Sequence, residues 1–139
     1  MEISFCIPVY NAKKYLNACI ESIYMQNLSK FEIVCIDDCS TDGSYELLNE
    51  LSARYPEIII KRNETNMGIG YSRNQALKMS RGKYVWFVDA DDMLIPDTAE
   101  LYLSIAEKES ADAVLGKLIG FNDGSLPEYQ KGTDKYHRV

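Results

Sequence analysis

An α/β fold, with a mostly parallel sheet and helices on both faces, is what this sequence predicts. Three observations carry that expectation. Apolar runs of strand length alternate with stretches of helical periodicity along most of the chain. Two of those runs, ISFCIPV and KYVWFV, are apolar on both alternating faces, as strands covered on both sides must be. The strand–helix–strand order then repeats without an internal sequence repeat or a linker, which is the signature of parallel strands joined by crossover helices.

Each element has its own justification. Ile3 to Val9 reads as a buried strand. In the segment NAKKYLNACIESIYMQN, Tyr15, Leu16, Cys19, Ile20, Ile23 and Tyr24 recur at helical spacing, with Asn11 placed to cap. FEIVCIDD is the second strand, and Tyr45, Leu47, Leu48 and Leu51 form the stripe of a second helix that Ser40 or Thr41 is placed to cap. EIIIKR is the third strand. A glycine-bearing loop leads into a helix from about Gly70 to Ser80, with Gly82 as its stop. KYVWFV is the fourth strand, its Trp86 and Phe87 read as core. Pro96 and Asp97, with Glu100 following, open a helix carrying Leu101, Tyr102, Ile105 and Ala106. ADAVLGKLIGF is expected as a fifth strand, and Asn122-Asp123-Gly124 as a hairpin turn. The polar stretch from Pro127 on carries no assignable pattern.

Composition narrows the function classes. A chain of 139 residues, 46% apolar and 26% charged, is sized for one domain that buries roughly two thirds of its unfolded surface. Its net charge of −6 argues against nucleic acid as a partner, because a phosphate backbone asks for a basic face. The four cysteines form no C-x-x-C pair and have one histidine for company, so zinc is not expected and reduced thiols are. No leader and no membrane-spanning run is visible, which points to the cytoplasm, with the inner face of the membrane as a variant.

In a parallel sheet, the loops after the strands share one edge, where ligands bind. Here those ends are Pro8-Val9-Tyr10-Asn11, Asp37-Asp38, the loop Asn63 to Asn66, and Asp89-Ala90-Asp91-Asp92. Alternating residues at a strand end point to the same side, so Asp89 and Asp91 can converge while Ala90 points away. Two such charges at 4 Å repel by about 4 kcal/mol at a protein surface, and a divalent cation turns that repulsion into attraction. Helix capping and solvated turns are the plainer use of the same residues. Of Asp37 and Asp38, alternation allows one to face a ligand and leaves the other to the loop backbone. Tyr10 offers a face for a base or simply packs, and Gly68 and Gly70 permit close backbone approach. Arg73 can reach a phosphate or pair with a carboxylate.

The segments IPVYN, IDDCSTDGS, NMGIGYSRN and VDADD, in that order, closely resemble the nucleotide-sugar half of family 2 glycosyltransferases, over about Ile3 to Phe121. The resemblance implies a Rossmann-like GT-A fold and a metal-dependent, inverting sugar transfer from a UDP-sugar to a glycan or lipid-linked acceptor, in cell-wall or other polysaccharide synthesis. It implies that Pro8, Val9 and Tyr10 hold the nucleobase and that Asp38 accepts the uracil imide N–H. Gly68, Arg73 and Ala90 fall in the donor-binding segments, with Asp89 against the ribose. Asp91, with Asp89 as its companion, is the implied ligand of Mn2+ or Mg2+. Such enzymes continue well past the D-x-D with the acceptor site and catalytic base. Asp112, Asp123, Glu128 and Asp134 match no such motif, so the base is expected outside these residues and the chain is read as the N-terminal domain of a longer enzyme. Two other readings remain at this stage: a nucleotide-binding module without catalysis, and a receiver-like signalling domain, whose acid pair would follow the first strand.

Overall fold

The computed structural model describes residues 1–116 and 120. By packing the chain divides into two units, Met1–Glu100 and Leu101–Val139. The first holds β1 (Ile3–Val9), α1 (Lys13–Tyr24), β2 (Phe31–Asp37), α2 (Ser44–Arg54), β3 (Ile58–Arg62), α3 (Ile69–Met79) and β4 (Tyr84–Phe87), and the start of α4 (Thr98–Glu109). Of the second unit, the rest of α4 and a strand-free stretch from 110 to 116 are described. The expected fifth strand is therefore absent over 111–116, where Asp112 and Gly116 bracket only three consecutive apolar residues. The remainder of that run apart from Gly120, and the turn at Asn122-Asp123-Gly124, lie outside the described residues.

The four strands are all parallel, in the order β3-β2-β1-β4. The chain steps outward through β1, β2 and β3, then crosses back to place β4 on the far side of β1. With right-handed crossovers, that reversal puts α1 and α2 on one face and α3 on the other. Packing agrees. Cys6, Val34 and Ile36 meet Ala76 and Met79 of α3. On the opposite face an aromatic chain runs from Phe5 through Phe31 to Tyr24 of α1 and on to Tyr55, which follows α2. β1 and β2 are buried along their whole length, as their mostly apolar sequences require, and with them the polar Ser4, Glu32 and Asp37. β4 is an edge strand among the described residues, so Phe87 is 43% exposed and not core, while Trp86 rests on Phe5.

At the edge away from the strand C-termini, Glu32 is buried and fully engaged. Its carboxylate accepts from Ser4 Oγ (2.6 Å), from Arg81 N (2.6 Å) and from Arg81 Nε (2.9 Å). Gly82 belongs to this arrangement and not to a helix stop, since α3 has already ended at Met79. A Cβ on Gly82 would sit 2.6 Å from Ser4 N and 2.7 Å from the Ile3 carbonyl carbon, both backbone atoms of β1. Gly82→Ala is therefore expected to displace the start of β1 and cost about 1–3 kcal/mol. A lower urea midpoint at unchanged slope is the predicted readout, and an unchanged midpoint would refute the close approach.

Candidate functional site at the strand C-termini

The reversal of strand order between β1 and β4 creates a crevice at their C-terminal ends, the position where open α/β sheets bind ligands. A cleft of about 410 Å3 lies there. Pro8, Val9 and Tyr10 line it from the end of β1, Asp38 from the end of β2, Gly68 from the start of α3, and Asp89, Ala90 and Asp91 from the turn after β4. Like Asp37, Gly70 and Asp92, which were also singled out in the sequence, Arg73 is not in the wall. Its Nη2 instead lies 2.6 Å from Asp89 Oδ1, so it pairs with a carboxylate of the site. Ala12, Tyr15, Ile69 and Ser72 also line the cleft and were not anticipated there, whereas Asn11 and Asn66 belong to strand-end segments expected at this edge. Ile69 opens α3 and is 53% exposed, on the same helix face as the buried Ser72 and Ala76 three and seven residues on.

Asp38 is the most constrained of these groups. Oδ1 accepts from Asn63 Nδ2 (2.7 Å) and Met67 N (2.8 Å), and Oδ2 from Gly68 N (2.7 Å). Burial alone would raise its pKa. Donation by Asn63, by the Met67 and Gly68 amides and by Ser72 outweighs that and holds the carboxyl below the usual carboxylate range. The clasp fixes Gly68 at φ 85, a left-handed position suited to glycine, from which α3 departs. Asp37, the other acid of the pair, accepts from Ser40 N and Arg62 Nε. Both acids thus bind loop groups, and Asp38 also faces the cleft.

The acidic turn is built differently from the expected strand continuation. β4 stops at Phe87, and Asp92 N donates to Asp89 O (2.9 Å), closing a four-residue turn. Asp89 and Asp91 reach the cleft by that turn and not by alternation along a strand. Cys19 Sγ and the Asp89 carbonyl, 3.6 Å apart, support it from α1. Desolvation first, then the like charges of Asp91 and Asp89, push Asp92 above its ordinary value. Burial, and then the same three carboxylates, raise Cys19 to about 12, so this thiol stays protonated near neutrality.

The helix caps also differ from expectation, because they are supplied across loops. Asn11 does not cap α1: it sits at φ 50, and its Oδ1 accepts from Thr41 N (2.8 Å). The first amides of α1 are met from the β2–α2 loop, Ala12 N by Ser44 Oγ and Lys13 N by Asp42 Oδ2, each at 3.0 Å. Asp42 Oδ1 accepts from Ser44 N and Ser44 Oγ at the start of α2, where Ser40 or Thr41 was expected to cap. Ser40 Oγ instead accepts from Asn11 N.

Among the described residues no group of three or more His, Cys, Asp or Glu is placed to hold a metal. The donor set fits a looser kind of site. Asp91 is exposed on the cleft wall, and Asp89 keeps one oxygen outside its bond to Arg73. A hard cation that takes one or two carboxylates and completes its shell with water and phosphate suits this pair, whereas an all-protein cage does not. No helix of the described residues is long and apolar enough to cross a membrane.

Comparison with known proteins follows the same geometry. Residues 4–138 match the family described as Glycosyl transferase family 2. The chain is 36% identical over 131 residues to the poly(ribitol-phosphate) beta-glucosyltransferase of Bacillus spizizenii, covering 92% of this chain and 21% of that protein. The structure of S. aureus TarS 1–349 in complex with UDP matches with a TM-score of 0.82 at 33% identity, over 92% of this chain and 38% of that one. The same portion of TarS has been solved with UDP-GlcNAc. The mannosyltransferase PcManGT of Pyrobaculum calidifontis, solved with GDP-Man and Mn2+, shares the fold at a TM-score of 0.69 and 24% identity, over 83% of this chain and 34% of that one. The chain spans between about a fifth and under half the length of curated relatives it matches. With its parallel sheet, its cleft at the β1/β4 reversal and a family match across nearly all of its residues, this chain belongs to glycosyl transferase family 2.

Proposed function

We propose that residues 1–139 form the donor-binding domain of a metal-dependent, inverting glycosyltransferase that takes a UDP-sugar and serves a glycan or lipid-linked acceptor. The observation that carries this reading is the convergence of Tyr10, Asp38, Asp89 and Asp91 on one cleft from three strand ends. In it, Pro8, Val9 and Tyr10 border the base. Asp38, kept ionised by Asn63, Met67, Gly68 and Ser72 and facing the cleft, is the acceptor this reading gives to the imide N–H. Asp89, steadied by Arg73, faces the ribose.

Asp91, assisted by Asp89, would hold Mn2+ or Mg2+, whose contribution when bound is to neutralise the charge of the leaving diphosphate. The relatives support a uridine donor and a cell-wall polymer product, since TarS structures carry UDP and UDP-GlcNAc and the Bacillus protein is a poly(ribitol-phosphate) glucosyltransferase. Their greater length supports placing the acceptor site and base in residues beyond these, in a protein that works in the cytoplasm or at the inner membrane face. The family match sets aside the receiver-like alternative.

Competition among nucleotides tests the donor. Cytosine presents an acceptor where uracil presents N–H, and opposing an acceptor to Asp38 leaves a desolvated group unpaired at about 1–3 kcal/mol. With Mn2+ present, UDP is expected to outcompete CDP by about tenfold or more. Equal competition by CDP, or a preference for GDP, would overturn the uridine assignment.

A further inference from the structure

The β1–α1 and β2–α2 loops are joined more heavily than neighbouring loops need to be. Asn11 Oδ1 accepts from Thr41 N at 2.8 Å and from Thr41 Oγ1 at 3.4 Å, and Asn11 N donates to Ser40 Oγ at 3.0 Å. Two further bonds, from Ala12 N and Lys13 N to Ser44 and Asp42, continue the seam into α1. Asn11 itself sits at φ 50, a left-handed conformation that asparagine tolerates better than most residues. The seam therefore fixes both the direction in which the chain leaves β1 and its distance from the β2 end.

Tyr10 is the residue this matters to. Half exposed on the cleft wall, it makes no side-chain hydrogen bond or ring contact with a described residue. No partner of its own orients it, so its backbone must. That backbone is held on one side by β1 and on the other by Asn11. Most of these seam bonds are exposed, so they add little to global stability. Rigid presentation of an aromatic face is a better account of why they are made, since a preordered group binds without a further loss of conformational freedom.

We propose that Asn11 is a positioning residue for nucleotide binding, acting through Tyr10 by locking the β1–α1 loop onto Thr41. This rests on the reading of the cleft as a nucleotide site. The atom that matters is the side-chain acceptor Oδ1, which Asn11→Asp retains and Asn11→Gly removes while keeping the left-handed backbone accessible.

The test is UDP affinity by titration calorimetry with Mn2+ for the whole chain, in wild type, Asn11→Gly, Asn11→Asp, Tyr10→Ala and the Asn11→Gly/Tyr10→Ala double variant. Thermal unfolding is followed in parallel. Asn11→Gly is expected to weaken binding about fivefold to tenfold, a fraction of the value of one base–aromatic stack. Asn11→Asp should stay within about twofold of wild type, and in the Tyr10→Ala background the loss from Asn11→Gly should fall below about twofold. Ser40→Ala, which unmakes the other Asn11 bond, should move affinity in the same direction and covers the case of a poorly folded Asn11→Gly. Equal losses with and without Tyr10, no loss at all, or failure of Asn11→Asp to rescue would each overturn the proposal. A wild-type chain that binds no uridine nucleotide would instead overturn the reading beneath it.

Discussion

Asp91→Asn is expected to weaken Mn2+-dependent UDP binding by about 10–100-fold, the range in which even outer-shell partners of a metal act. Asp91 is the exposed carboxylate on the cleft wall that no hydrogen bond or ion pair among the described residues occupies, whereas Asp89 gives one oxygen to Arg73. Asparagine preserves size and one oxygen but removes the charge that a hard cation requires. Asp92→Asn should change affinity far less, because Asp92 is not part of the cleft wall. Asp89→Asn should fall between, since it frees Arg73 while weakening the companion ligand. Titrations with Mn2+ and with EDTA separate the metal-dependent part from the rest. Comparable losses for Asp91 and Asp92 would show that the ligand has been misassigned.

Asp38→Ala is expected to cost about 2–4 kcal/mol of stability and to erase the preference for UDP over CDP. Truncation strands three donors, the buried Asn63 amide and the backbone N–H groups of Met67 and Gly68, and an unsatisfied buried group costs about 1–3 kcal/mol. Opening of the Asn63–Gly68 loop to water recovers part of that, which keeps the total below the sum. The same hydrogen bonds give a pH dependence of definite sign. A carboxyl held below its ordinary value in the folded state contributes stability that is present above the unfolded pKa of about 4, and loses it as pH falls through the folded value. Wild type should therefore lose stability below about pH 4 more steeply than Asp38→Ala does. Glu32, for which burial is likewise outweighed by Ser4 and Arg81, adds a second such contribution in both proteins. Identical acid profiles would mean that the clasp on Asp38 does not hold in solution.

The sequence disclosed what depends on periodicity and hid what depends on contacts between distant loops. β1 and β2 were plain because strands buried on both faces are apolar at most positions, and Ser4 and Glu32 among them bond each other. The strand ends carrying Tyr10, Asp38 and Asp89–Asp91 followed from that, since parallel topology sends them to one edge. Caps were misread because cap statistics look along the chain, while Lys13 N is capped by Asp42, 29 residues away. Asn11 looks like a cap from its place before α1, yet its left-handed backbone turns its side chain to Thr41. Phe87 read as core because hydrophobicity does not reveal that β4 is an edge strand among the described residues, whereas Trp86 does pack on Phe5. Nor could spacing show that β4 ends two residues before Asp89, so the alternation argument failed although both acids reach the cleft.

The cleft between the ends of β1 and β4 is the proposed nucleotide-sugar site. It is tested most directly by backbone NMR of the chain titrated with UDP in the presence of Mg2+. Saturable shift changes are expected to concentrate at Val9, Tyr10, Asp38, Gly68 and Ala90, with Glu32 and Gly82 at the far edge of the sheet unmoved. Shifts centred on that far edge or on the outer edge of β3, or no saturable change at all, would contradict it.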